Sequence, residues 1–309
     1  REYTLEARVV INATGIFTDN IRRMDDPEAS RMIQPSQGVH LVLDQAFLPG
    51  DTAIMVPRTD DGRVLFAIPW LDRVLIGTTD TPVEHASLEP RPFAEELDFL
   101  LTHAARYLTK DPTPSDVLST FAGLRPLVST DPEGDTASIS RDHTLHIDRS
   151  GLVTITGGKW TTYRKMAEDT IDQAAIIAQL DERPSPTAAL HLHGWHDNPD
   201  ALGDLAAYGA DAPALVTLLG EEPGWNEHLH PKLPYRKGEV VWAVRREMAR
   251  TLEDVLARRT RALLLDARAS IEIAPIVAAL IAGQLGRDAA WEQDQVAAYR
   301  ALAAGYVVA

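Results

Sequence analysis

Cysteine is absent from the 309 residues, which excludes disulfides, a thiol nucleophile and thiolate-ligated metal, and fits a reducing compartment. Positive charge is also scarce. Thirty Lys and Arg face 45 Asp and Glu, for a formal charge of −15, so no basic excess exists to neutralise phosphates and no nucleic-acid partner is expected. There is no run of 18 apolar residues and no basic leader before an apolar stretch, so no membrane span or secretion is expected and the expected location is cytoplasmic. The Gly-x-Gly-x-x-Gly fingerprint that holds a dinucleotide pyrophosphate is missing as well. What remains, 45% apolar and 24% charged residues, reads as globular and long enough for about two domains of roughly 100–200 residues each.

The apolar run from Arg8 to Thr14 ends at Gly15, with Asp19 where a helix can begin. Because the chain opens on Arg1 and Ala7 to Ala13 already reads as a buried strand, a fragment starting inside a domain is expected. Between Gly38 and Thr79, β-rich runs at 39–43, 53–56, 64–68 and 74–77 predict an antiparallel sheet with a hairpin at Asp61-Gly62. A helix is expected over Phe93 to Tyr107, and strands around 117–121, 138–147 and 152–155. The turn Gly157-Gly158-Lys159-Trp160-Thr161-Thr162 then leads into a helix over Tyr163 to Leu180, which a threonine can cap. The pattern breaks from Glu182 to His196, after which four amphipathic helices are expected at 198–219, 238–257, 271–285 and 289–306. These readings divide the chain into 1–181, a linker at 182–197 and a helical domain at 198–309, a mixed α+β and α/β fold.

The glycine turn at 157–162 sets exposed amides at a helix start, where the macrodipole favours negative charge. Lys159 is then a fixed cation beside a phosphate or an electron-accepting ring, unless the segment is an ordinary turn with a solvated lysine. Arg125, in Gly123-Leu-Arg-Pro-Leu127, follows a strand-like run that Pro126 is expected to stop, and its fork suits a phosphate or carboxylate. Arg141 stands at another strand start, so two arginines and a lysine either converge on one dianion or are separate loop residues. His40, inside an apolar strand, is a candidate general base or a satisfied core histidine. Ile76 to Asp80 is a turn cap or the edge of a site. His191, His193 and His196 read as a solvated linker, and no metal is expected.

In order, Val10-Ile-Asn-Ala-Thr-Gly15, Gln37-Gly-Val-His40, Gly62-Arg-Val-Leu-Phe-Ala-Ile-Pro-Trp70, Ile76-Gly-Thr-Thr-Asp80, Ala122-Gly-Leu-Arg-Pro-Leu127 and Gly157-Gly-Lys-Trp-Thr-Thr-Tyr-Arg164 resemble the FAD-dependent, aerobic-type glycerol-3-phosphate dehydrogenases. Glu239-Val-Val-Trp242, Arg245-Arg246-Glu247 and Asp254 to Arg261 resemble that family's C-terminal helical domain. The resemblance implies a partial FAD-binding domain, Rossmann-like and of the glutathione-reductase type, with an antiparallel substrate-binding sheet and an all-helical C-terminal domain. The family's N-terminal dinucleotide-binding segment is not among the matching phrases, so the fragment is expected to be inactive alone. Gln37 stands where the family carries lysine.

By the same resemblance the cofactor is FAD, with Ala13, Thr14 and Gly15 near its adenosine and pyrophosphate side. Gly157, Gly158, Lys159, Trp160, Thr161 and Thr162 would lie at the isoalloxazine. Arg125, Arg141 and Lys159 are implied substrate contacts, and His40, Arg125 and Lys159 the implied catalytic group. The implied reaction is oxidation of glycerol 3-phosphate to glycerone phosphate by hydride transfer to FAD. Electrons would pass to a quinone, with peripheral association at the inner face of the cytoplasmic membrane and homo-oligomerisation left open. The rival readings are a glycerol-3-phosphate oxidase using dioxygen, a non-catalytic module unable to hold FAD alone, and an amine or amino-acid oxidase of the same broad fold.

Overall fold

The computed structural model describes residues 2–128 and 142–308. In chain order the strands are β1 (Ile11–Asn12), β2 (Ile33–Asp44), β3 (Ile54–Val56), β4 (Leu65–Trp70), β5 (Arg73–Gly77), β6 (Thr81–Pro82), β7 (Ser119–Val128), β8 (His143–Ile147), β9 (Val153–Gly157), β10 (His228–His230) and β11 (Leu233–Arg236). The α-helices are α1 (Thr18–Asp25), α2 (Ala94–Ala104), α3 (Tyr163–Ile177), α4 (Ala212–Leu219), α5 (Lys237–Arg246), α6 (Ala262–Leu265), α7 (Ala267–Leu285) and α8 (Ala289–Ala303). Two compact units result, one of Arg1–Gly38, Thr79–Pro90 and Ala122–Leu190, the other of Val39–Thr78, Arg91–Phe121 and His191–Ala309.

In the first unit, β1 runs parallel to β9, and β9 antiparallel to β8. Val153 to Thr156 are all buried, the unbroken burial of a strand covered on both faces. Helix α3 packs on β9, with Thr170 and Ala174 buried. Arg22 of α1 pairs with Asp148, after β8, at 3.2 Å with side-chain exposures of 6% and 13%. Burial pushes the Asp148 carboxyl up, but the hydrogen bond and charge of Arg22 more than offset this, and it lies below the usual range.

In the second unit, β3, β4, β5 and the end of β2 form an antiparallel sheet, with His40 opposite Gly77. The expected hairpin closes at Gly62, whose φ is 86° and whose N–H donates to the Thr59 carbonyl at 3.0 Å. The next turn uses Leu71 and Asp72, both at positive φ (49° and 59°), the sense that matches the strand twist in a two-residue hairpin. Leu256, Leu263, Leu265, Ile273, Val277 and Ile281 are buried in one apolar cluster around α7. The Asp266 carboxylate starts α7 by accepting the Ala269 N–H at 2.9 Å, and Gly286 ends it at φ 63°. Helix α7 is long and apolar enough to cross a membrane, with a mean hydropathy of 1.4, but its Ile273, Ala274, Val277, Ala278 and Ile281 face is buried in this core.

Several expectations need correction. The strand at 117–121 continues as β7 through Arg125 and Pro126 to Val128; β7 pairs with β2 and with no second described strand, an edge position that tolerates proline. The helix expected at 198–219 is broken into 3₁₀ turns over Pro199–Asp211 by Gly203 and Gly209, at φ 54° and 51°, before α4 begins. A β-carbon on Gly209 would collide with the Gly194 carbonyl. The helix at 238–257 stops at Arg246 because Met248 takes φ 59°, and a π-helical turn follows at Asp254–Arg259. The tail is also not all helical, since β10 and β11 form a hairpin.

The division at 181 and 198 differs from the observed units, because the middle sheet joins the tail. Within the second unit the Ala267 N–H donates to the Leu118 carbonyl at 3.0 Å, Arg73 donates to the Lys232 carbonyl at 2.6 Å, and Trp70 packs on the helical core. Burial links segments that are remote in sequence.

Candidate functional site

In the first unit, Asn12 of β1 stands opposite Thr154 of β9. Gly15 and Gly157 each follow their member of that pair by three residues (12 to 15 and 154 to 157), so two strands turn at the same level. Gly15, Gly157 and Gly158 take φ of 60°, 74° and 75°, values that glycine adopts without a steric penalty. Helices α1 and α3 follow shortly after these turns. The carboxyl edge of parallel strands is where open α/β sheets bind ligands, and helix starts there favour anions.

Local contacts brace both turns. Buried Asn12 donates to the Thr18 carbonyl at 3.0 Å and accepts from the Thr14 hydroxyl at 2.7 Å. A β-carbon on Gly157 would lie 2.8 Å from the Asp142 carbonyl, and one on Gly158 would collide with the Met166 sulfur. The Thr162 hydroxyl accepts from the Lys159 N–H at 3.1 Å and donates to the Lys159 carbonyl at 2.9 Å. Ala13, Thr14, Lys159, Thr161 and Thr162 are exposed. Trp160, 86% exposed, stacks on Tyr163 at 5.4 Å. Nearby, His143 Nε2 lies 3.0 Å from Asp169, whose carboxyl is held below its usual range first by Lys165 and, against some desolvation, by His143.

Arg125 belongs to the same unit and is half-buried. Its Nη1 donates to the Thr79 carbonyl at 3.2 Å and lies 3.5 Å from the Asp80 carboxylate. The Ser36 hydroxyl, itself buried, donates to Asp80. A β-carbon on Gly38 would collide with the Arg125 guanidinium. Of these neighbours, Asp80 falls in the Ile76 to Asp80 segment read as a turn cap or a site edge, whereas Ser36 carried no sequence signal, because a lone serine beside a proline has no characteristic spacing.

His40 lies in the second unit. Its ring stacks on Phe121 at 5.5 Å and 17°, its carbonyl accepts from the Thr120 hydroxyl at 3.1 Å, and a β-carbon on Gly77 would collide with it. It is half-buried, neither sealed in the core nor solvated. Arg141 lies outside the described residues. His193 pairs with Asp211 at 2.7 Å, His191 stacks on Trp195 at 3.8 Å, and His196 accepts the Asn198 N–H at 3.1 Å. Among the described residues no three ligating side chains gather in a group suited to a metal ion.

Residues 1–164 match the family described as FAD dependent oxidoreductase, and residues 153–293 match the C-terminal domain of alpha-glycerophosphate oxidase. The chain is 39% identical over 319 aligned residues to the probable mitochondrial glycerol-3-phosphate dehydrogenase of Caenorhabditis elegans, covering 96% of this chain and 44% of the relative. It is 38% identical to the human mitochondrial glycerol-3-phosphate dehydrogenase, again covering 96% and 44%. The chain thus spans less than half the length of these curated relatives. In structure it resembles the glycerol-3-phosphate dehydrogenase from Bacillus halodurans complexed with FAD, with a TM-score of 0.82 and 29% identity, over 99% of this chain and 64% of that one.

Proposed function

This chain belongs to the FAD dependent oxidoreductase family, and we propose that it serves the oxidation of glycerol 3-phosphate to glycerone phosphate. The observation that carries the reading is the pair of level glycine turns at the ends of β1 and β9. The exposed residues at these turns, the helix starts that follow them and an exposed Trp160 fit an elongated anionic cofactor with an aromatic ring. The turns would form part of a Rossmann-like site of the glutathione-reductase type. Ala13, Thr14 and Gly15 would hold the adenosine and pyrophosphate side of FAD, and Gly157 to Thr162 its ring. When bound, FAD supplies the acceptor for the hydride from substrate C2.

The chain's own residues do the rest. Arg125 binds the substrate phosphate through charge-assisted hydrogen bonds, and Arg141 adds a second cation. His40 receives the C2 hydroxyl proton, its ring orientation fixed by Phe121 and Gly77. Lys159 places positive charge beside the ring, where electron density rises. The test is anaerobic addition of glycerol 3-phosphate to the flavin-loaded protein. Bleaching of the visible flavin band supports the reading; a band that bleaches with amino acids and not with glycerol 3-phosphate overturns it.

The acceptor we propose is a quinone, reached from a peripheral position on the inner face of the cytoplasmic membrane. The match to the alpha-glycerophosphate oxidase domain favours a second reading in which dioxygen takes the electrons. Aerobic turnover that yields stoichiometric peroxide and no quinone reduction selects that reading.

A further inference from the structure

Arginine is a costly group to aim. Its side chain is long and flexible, and a planar fork recognises phosphate only in a fixed orientation. Besides the 3.2 Å bond from Nη1 to the Thr79 carbonyl, Gly38, Asp80 and Ser36 constrain Arg125, all within the first unit. The guanidinium lies against the α-carbon of Gly38, where the three nearest atoms to an added β-carbon all belong to Arg125. Gly38 is not among the glycines at positive φ, so backbone conformation does not demand a glycine there, and the space its hydrogen leaves is the space the guanidinium fills. Asp80 stands 3.5 Å from Nη1 with 18% of its side chain exposed, longer than the roughly 2.7–2.9 Å of a charge-assisted bond. It therefore steers the fork without clamping it. Ser36, with no exposure, donates to Asp80 and fixes the carboxylate.

We infer that Gly38, Asp80 and Ser36 are positioning residues that hold Arg125 in the orientation needed for a substrate phosphate, an inference that rests on the reading of Arg125 as a phosphate contact. None of the three touches the reacting atoms. Their loss weakens phosphate binding and leaves the chemical step comparatively unaffected.

The experiment uses the full-length, FAD-loaded enzyme and reads KM and kcat for glycerol 3-phosphate together with inhibition by inorganic phosphate. Gly38→Ala and Asp80→Ala are expected to raise KM and the phosphate inhibition constant together by about tenfold, equivalent to ~1.4 kcal/mol, with kcat within about threefold. Asp80→Asn, which keeps an acceptor, restores most of the loss, and Ser36→Ala gives a smaller rise in the same direction. In an Arg125→Ala background the Asp80→Ala effect disappears, since the cycle removes the group through which it acts. Gly38→Ala displaces only the far end of a flexible side chain, so a folded, flavin-loaded variant is expected even where Asp80→Ala is unstable. A KM that falls in Asp80→Ala, is unmoved in Gly38→Ala, or changes equally without Arg125 overturns the inference. If Arg125→Ala itself leaves KM unchanged, the phosphate-contact reading fails first; if it raises KM while both neighbours' variants do not, only the positioning role fails.

Discussion

The ends of β1 and β9 and the core around α7 are built by opposite means. At the first, Gly15, Gly157 and Gly158 sit at positive φ and Lys159 and Trp160 stand in solvent. At the second, Leu263, Ile273, Val277 and Ile281 are at most 1% exposed. The carboxylates repeat the contrast. Asp148 in the first unit is held low by Arg22 against the cost of burial. Glu239 in the second is pushed above its usual range by burial, which the Tyr208 hydroxyl and Arg236 amide only partly offset. Glycine turns with exposed flanking residues prepare one region to bind, while close packing makes the other stable.

The contrast breaks most visibly if the buried ion pair is removed. Asp148→Ala leaves buried Arg22 to the Ser30 carbonyl and a longer 3.7 Å contact with Asp19 and is expected to cost about 3 kcal/mol, the lower end for breaking a buried pair, read by chemical denaturation. Because the folded carboxyl lies below its ordinary 3.8, its contribution is present above that value and is lost as pH falls through it towards the folded one. The variant should therefore lose part of the wild-type acid limb. On a similar scale, Ile273→Ala in the dry core should cost about 2–5 kcal/mol while flavin affinity stays as it was. A matching loss of flavin would erase the division of labour.

Gly77→Ala should act in the reverse sense, with a small stability change but kcat lowered about tenfold, ~1.4 kcal/mol, because the β-carbon displaces the His40 ring. Stopped-flow flavin reduction measures it, and an unchanged rate would remove His40 from the reaction. The smallest effect is expected from Tyr208→Phe, which deletes the 2.7 Å bond to Glu239 at about 1 kcal/mol. Glu239 has a raised folded pKa, so its contribution is present below its ordinary 4.5 and is lost as pH rises through the folded value. The variant should lose relatively more stability above that range than below it, as pH-resolved melting would show.

Much of the site was legible in the chain. The run into Gly15 and the Gly157-Gly158-Lys159 turn identified both strand ends, since positive φ selects glycine, but the buried strand expected over Ala7 to Ala13 is only β1 (Ile11–Asn12) with Asn12 alone buried, and Thr162 makes no side-chain cap on α3. The Asp61-Gly62 hairpin and the end of α7 at Leu285 were equally open to reading, whereas α7 begins at Ala267, four residues before the expected start at 271. The break at Asp72 was also legible, since Asp tolerates a left-handed turn, but that Leu71 shares the positive φ was not. Nor was the break after Arg246, where Met248 takes a left-handed conformation that no local pattern announces. The β10–β11 hairpin was hidden by strands of three and four residues, too short for alternation to register.

Sequence by itself determined the punctuation of the first unit, the apolar stripe of α7 and the residue types offered to an anionic cofactor, because each follows from local sterics, spacing or charge. Only the tertiary structure decided that Asn12 pairs level with Thr154, that Arg125 lies on Gly38 beside Asp80, and that the middle sheet packs with the tail. Those relations join residues far apart in the chain, and they are set by burial and strand register, which no local pattern encodes.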